Sequence, residues 1–232
     1  MARLVAGSER DGSERQDGAA AAGGTGRRTG LDREDVIAAA LDLVVREGAA
    51  ALTMRRLATE LDVGTPTIYW HVSNRDELVA EVIRLQSQRL AVAGGDVQGT
   101  TARDRVFDVA WRLWTSSIEQ RATTSLAHQT GTSSILLHHL EEQLVQELEA
   151  AGLDGEVAAE ACRAIVVAVG GALLVALRDP EQIAPEHRPD ALWREGDAPI
   201  SDATRDALVA PPDVEQLSTT VLRAVIDHYV PG

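Results

Sequence analysis

Leu136, Leu140, Leu144 and Leu148 stand four residues apart, and the same three- and four-residue recurrence runs through most of the chain. Ile37, Leu41 and Val44 repeat it early; Val106, Val109, Ala110, Leu113 and Trp114 repeat it in the middle; Val214, Leu217, Val221 and Val225 repeat it near the end. This period gathers apolar side chains on one face of an α-helix, whereas a half-buried strand needs alternation at every second residue. Neither that alternation nor an internal repeat occurs, so the chain reads as all-α.

Caps and glycines divide the helices. Asp32 is a good N-cap, with Glu34 and Asp35 at the positive helix end, and Gly48 is a stop. Thr53 caps a short helix carrying Met54, Leu57, Ala58 and Leu61, and the turn is Asp62-Val63-Gly64. A second short helix is predicted with Thr65 as N-cap and Pro66 at the first helical position. Asn74 caps the next, with Glu77 completing a capping-box-like pair. Helices are further expected over 103–120, 135–151, 156–177 and 213–229. Residues 123–134, rich in Thr, Ser and Gly, read as a loop or broken helix. Residues 179–212, which hold six of the eight prolines, read as a long loop with one helical turn at most. The segment 156–177 is apolar nearly all round and should be buried on more than one side. Within it lies the longest apolar run, 14 residues over 164–177, shorter than the ~20 needed to cross a bilayer.

Charge is distributed unevenly. The formal net charge is −14, yet residues 27–75 hold seven Arg and seven acids, and residues 76–232 carry −13. All 22 basic residues are arginine, and only seven residues are aromatic, four of them Trp. Such asymmetry suggests parts with different partners. Three segments are expected: a low-complexity, disordered arm (1–26), a helix-turn-helix part (27–75) and a helical remainder (76–232). The single cysteine, Cys162, allows no intrachain disulfide and no zinc spacing. It reads as a small core residue. With no apolar leader, a cytoplasmic protein without a membrane segment is expected.

Residues 53–71 form helix, short turn, helix, the arrangement that lays its second helix in the major groove of DNA. In that second helix only Ile68, with Val72 after it, looks core-directed. Thr65, Thr67, Tyr69, Trp70 and His71 then face outward, where hydroxyls, an imidazole and helix N–H groups can meet phosphates and base edges. Arg55 can reach a guanine edge with two hydrogen bonds.

The stretch LTMRRLATELDVGTPTIYWHVSNRDEL, Leu52 to Leu78, resembles the DNA-binding domain of the TetR family of bacterial repressors, and is closest to its tetracycline-repressor branch. The resemblance implies a helix-turn-helix head plus a C-terminal helical ligand-binding and dimerisation bundle. It implies a non-enzymatic homodimeric repressor, released from a palindromic double-stranded operator by a small-molecule effector. The residue roles follow from the same likeness. Arg55 would read a base; Thr65, Pro66 and Thr67 would meet base edges; Thr53, Tyr69, His71 and Arg75 would hold phosphates; Trp70 would partly brace its helix and partly face the DNA backbone. Arg28, with Arg27 in the arm, would add a minor-groove contact. Met54 and Gly64-Thr65 depart from that branch, so the operator sequence is its own. The dimer would form through the helices near 156–178 and 213–229. The alternative is a ligand-binding helical protein or an enzyme with a vestigial head.

For the effector, Trp111 and Trp114 at i, i+3 and the polar group His128, Gln129, Thr132, His138 and His139 are the candidate lining. The plainer readings are core aromatics and solvent-exposed histidines. No cofactor and no resident metal is expected, and no G-x-S-x-G, H-E-x-x-H or glycine-rich phosphate loop occurs. Gly170-Gly171 reads as a close helix–helix approach.

Overall fold

This computed structural model describes residues 30–178, 183–195 and 199–232. The arm over 1–26 and Arg28 lie outside the described residues. Among the described residues there is no strand.

The first helix, α1 (Arg33–Glu47), starts in a full capping box. The Asp32 carboxylate accepts from the Asp35 amide, and the Asp35 carboxylate accepts from the Asp32 amide. Gly48 ends it at φ 87°, a conformation that favours glycine. Helix α2 (Met54–Glu60) is capped by Thr53, whose hydroxyl accepts from the Arg56 amide at 3.1 Å. It closes with the Val63 amide bonded to Ala58 O and the Asp62 amide to Thr59 O. That pair of bonds needs a left-handed residue, and Asp62 takes φ 52° to supply it. Helix α3 (Thr65–His71) follows with Gly64, not Thr65, at the N-cap, so Pro66 stands one residue deeper than expected. The Thr65 hydroxyl makes no cap bond, so Thr65 is the first helical residue. Asn74 caps the long α4 (Arg75–Ala93) by accepting from the Glu77 amide at 2.8 Å. Glu77 reaches back one residue further than a capping box, to the Ser73 amide at 2.8 Å.

These four helices share a core that includes Val36, Leu41, Val44, Leu57, Ile68, Val72, Leu78 and Val82. Helix α4 continues out of this head and packs on α7 (Ser133–Ala150). A second core joins α5 (Ala102–Glu119), α7, α8 (Gly155–Ala176) and α11 (Val214–Tyr229). The leucines spaced by four on α7 are all buried in the protomer.

Three segments bear on the sequence reading. The stretch 123–134, expected as a loop or broken helix, is the latter, with a break between α7 and the preceding helix, α6 (Arg121–Gln129). Its hydroxyls bond backwards instead of breaking the helix: Thr123 to Gln120 O and Thr124 to Ser117 O, with Leu126 and Ala127 packed inward. The proline-rich stretch contains α9 (Pro189–Glu195) and α10 (Asp202–Val209), with Ser201 capping the second. They pack on each other. Most of the prolines fall between or at the starts of the helical pieces, where a missing N–H costs little.

The third is the pair α8 and α11. Within the protomer α8 buries only the stripe Ala158, Ala161, Ile165, Val169 and Leu173. Val157, Val167, Leu174 and Val175 are exposed. By length and composition α8 would also suffice to cross a membrane. On α11 the inward stripe is Ser218, Leu222 and Ile226, while Leu217 and Val221 of the expected stripe face outward. Only part of the sequence stripe is outer: Val225 packs against the core, and the buried stripe runs one residue further along than Leu217 and Val221.

Candidate nucleic-acid interface

Helix α3 presents its functional side chains because one small turn orients it. Ile68 and Val72 are fully buried, and they fix which side of the helix faces the core. Pro66, Tyr69 and Trp70 are exposed, and Thr65, Thr67 and His71 are half-buried. Trp70 is 87% exposed, so it does not brace the helix; its indole stands in solvent. An exposed indole beside an exposed phenol is unusual for a bare surface and fits a surface that is covered in use.

The arginines of this region divide into two groups. Arg56 is held by Glu47 at 2.6 Å and by Glu60 at 2.8 Å, and Arg46 is held by Glu60 at 2.6 Å. Arg33 reaches Glu77 at 2.9 Å and Glu81 at 3.3 Å, and its Nε donates to His71 O at 3.2 Å. Arg33 thus ties the last carbonyl of α3 to α4. Arg55, exposed on α2, has no hydrogen-bond or ion-pair partner among the described residues. Its carbonyl accepts from the Thr59 hydroxyl at 3.0 Å. Arg75 donates through Nε to Leu52 O at 3.2 Å and keeps its Nη groups unengaged among the described residues. Among the described residues of this neutral region, Arg55 and Arg75 thus lack a carboxylate partner, and the Arg75 Nη groups stay unengaged. Thr53 accepts a backbone bond as N-cap, which leaves its hydroxyl proton available to an external acceptor. Sequence reasoning named Arg55 and Arg75 but missed Arg33, whose partners lie 38 or more residues away and leave no local signal.

The candidate effector residues do not form one group. An open groove of about 540 Å³ lies between α4 and α7, lined by Arg84, Ser87 and Gln88 on one side and His138, His139 and Glu142 on the other. His138 and His139 belong to it; the other five candidates do not line it. His128 and Gln129 are exposed at the end of α6, where Gln129 bonds Ser125. Thr132 bonds Thr130 at 3.0 Å in the turn after it. Trp111 and Trp114 stack at 4.7 Å on α5, and Phe107 extends the stack at 5.8 Å. Trp114 is 8% exposed, and its indole N–H is buried without a partner. The Gln143 side-chain oxygen on α7 is also buried without a partner, while its nitrogen lies 3.3 Å from His139. A buried unpaired polar atom costs ~1–3 kcal/mol, so these two mark places where a ligand group would be welcomed. Gln143 was not foreseen, because an amide inside an amphipathic helix looks like any solvated position. Among the described residues no three His, Cys, Asp or Glu side chains converge as a metal site requires.

Comparison with known proteins supports the head directly. Residues 36–82 match the model of the bacterial regulatory proteins of the tetR family. The chain is 44% identical over 69 residues to tetracycline repressor protein class D of Escherichia coli, which covers 28% of this chain and 32% of that repressor. The chain thus spans about a third of the length of that curated relative. A possible TetR family transcriptional regulator from Streptomyces coelicolor A3(2) superposes with a TM-score of 0.65 at 24% identity, covering 85% of this chain and 98% of the other. BioQ, solved with its natural double-stranded DNA operator, is 30% identical with a TM-score of 0.50, covering 61% of this chain and 83% of that one. By its head and by its all-helical fold, the chain belongs to the tetR family of bacterial regulatory proteins.

Proposed function

We propose that this chain is a homodimeric transcriptional repressor that binds a palindromic operator and releases it when a small molecule occupies the helical core. The observation that carries the reading is a pair of arginines beside an exposed recognition helix that no carboxylate neutralises. Among the described residues Arg55 and Arg75 have no carboxylate partner, while Arg33, Arg46 and Arg56 are neutralised. Arg55 is positioned to read a base edge, Thr65, Pro66 and Thr67 to meet base edges and methyls, and Thr53, Tyr69, His71 and Arg75 to hold phosphates. The part over 27–75 reads DNA, and the part over 76–232 dimerises and senses. The apolar outer faces of α8 and α11 support pairing with a second copy. Two heads would then reach successive major-groove turns, roughly 34–36 Å apart.

The α4/α7 groove with His138 and His139, together with the orphaned Gln143 and Trp114 atoms, supports effector binding in the core. No resident metal or cofactor is needed for this cycle, and a cytoplasmic location suits it. The test is selection of bound fragments from genomic DNA by the purified protein, repeated with Tyr69→Ala/His71→Ala. One palindromic sequence, recovered by the wild type and lost in the double variant, is the expected result. No enrichment at either low or moderate salt would overturn the reading and turn attention to the core as a binding or catalytic cavity.

A further inference from the structure

Helix α4 ends at Gly94 without the returning backbone amide that closes α1, α2 and α5, so its last carbonyls need other donors. A side chain from the middle of α5 supplies one at the cap. Arg112 Nη1 donates to Gly94 O at 2.7 Å and to Gly95 O at 3.3 Å. Its Nη2 donates to Asp108 Oδ2 at 2.7 Å, one turn earlier on α5. The same Asp108 oxygen accepts from the Gln98 amide at 3.0 Å, so it also holds the link that leads from α4 into α5. The Arg112 side chain is only 18% exposed, and its Nε–H is buried without a partner. The guanidinium is therefore held by its two Nη groups alone, spanning a helix end and a carboxylate. A cation at a helix C-terminus is also favoured by the helix dipole.

We propose that Arg112, braced by Asp108, is the positioning residue that fixes the core end of α4 and passes any displacement of α5 to the head. The inference rests on the operator-binding reading above. Helix α4 is gripped at both ends by arginines from other helices: Arg33 of α1 at the start, Arg112 of α5 at the end. At its start the same Arg33 holds the last carbonyl of α3. A movement of α5 thus reaches the recognition helix through two guanidinium contacts and one rigid helix. Arg112 also stands between Trp111 and Trp114, so a ligand that disturbed the aromatic stack would move the helix that carries the clamp. The apolar packing of α4 on α1 and α7 does not use Arg112, so the fold survives its loss.

The experiment uses the full chain with Cys162→Ser and spin labels at Glu34→Cys on α1 and Glu149→Cys on α7, diluted with unlabelled chain so that only intrachain distances are read. The parent protein should give one narrow distance. Arg112→Ala and the milder Arg112→Gln should broaden or shift it, with the thermal midpoint nearly unchanged. Affinity for the selected operator fragment should fall by about tenfold, within the range of allosteric couplings. Arg112→Lys should recover only part of the affinity, since one ammonium cannot span both carbonyls and the carboxylate. A parent-like distance in both Arg112→Ala and Arg112→Gln would overturn the clamp. So would parent-like operator affinity in both, whatever the distance. Failure of the parent protein to select any fragment would overturn the operator reading instead, and the distance measurement would then decide the clamp alone.

Discussion

Glu77 accepts hydrogen bonds from the Ser73 backbone and side chain and from Arg33, and together these hold its carboxyl at about 2, below the ordinary 4.5. A depressed carboxyl contributes stability that is complete above its unfolded pKa and is lost as pH falls through the folded one. The head should therefore lose stability as pH drops from about 4.5 towards about 2. Glu77→Gln should flatten that limb of the stability curve in acid unfolding followed by circular dichroism. An unchanged limb would mean that the Ser73 and Arg33 bonds do not persist in solution. Arg55 and Arg56 offer a sharper contrast, since they are adjacent and alike in sequence. Arg55→Ala should weaken operator binding by ~1–3 kcal/mol and relax selectivity at one base pair, the worth of a lost bidentate contact. Arg56→Ala should act instead on stability, because its partners are Glu47 and Glu60. Binding isotherms beside denaturant unfolding of both variants separate these outcomes, and equal loss of affinity would refute the division. At this scale the sequence showed which residues crowd α3, because a polar and aromatic run on a short helix is a local pattern. It did not show which arginine is neutralised, since Arg46–Glu60 and Arg33–Glu77 are contacts between helices.

Helix starts were legible at Asp32, Thr53 and Asn74, whose side chains accept the expected backbone amide, whereas the caps Thr101 and Ser201 went unread. Helix α6 was only half legible. Its threonines look like loop residues until their hydroxyls find carbonyls in the preceding turn and Thr123 is fully buried. Helix α9 was hidden because Pro189 stands at its start, and α10 because Pro199 and Pro211 flank it. Gly170 and Gly171 on α8 remain the informative oddity of the element. A β-carbon added at either meets nothing within 4 Å in the protomer, so local packing does not require glycine there. Glycine inside a helix costs about 1 kcal/mol relative to alanine, and both sit where α8 turns its exposed face outward. If a second α8 crosses at this point, added methyl groups would hold the two backbones apart. Gly170→Ala/Gly171→Ala should then weaken self-association while stabilising the isolated protomer, as read by sedimentation at a series of concentrations. Tighter or unchanged association would place the crossing elsewhere.

At the scale of the whole molecule, two apolar surfaces that the protomer leaves open lie on helices that pack against each other, α8 and α11. Leu174 is 70% exposed and Leu217 is 52% exposed, with Val167, Val175 and Val221 beside them on the same two helices. The sequence picked out an α11 stripe whose Leu217 and Val221 lie on this open face, while its Val225 packs against the core. It could not separate inner from outer, since Leu217 and Leu222 differ only in which stripe the rest of the fold covers. A second copy would use both helices at once, and in the proposed dimer it would bring two reading heads to one palindrome. Leu174→Asp combined with Val221→Asp tests this. Each carboxylate would be desolvated in the dimer without a partner, at a cost of several kcal/mol, yet remains solvated in the monomer. The double variant should be monomeric by light scattering, with unchanged helicity. Its operator affinity should fall steeply, because a single head retains only one half-site. Residues 76–232 carry −13, so long-range attraction to DNA is weak, and in the proposed dimer the paired heads rather than overall charge would hold the operator. A variant that stays dimeric would move the interface off α8 and α11. A monomer that binds the full operator as tightly as the parent would remove the need for a pair.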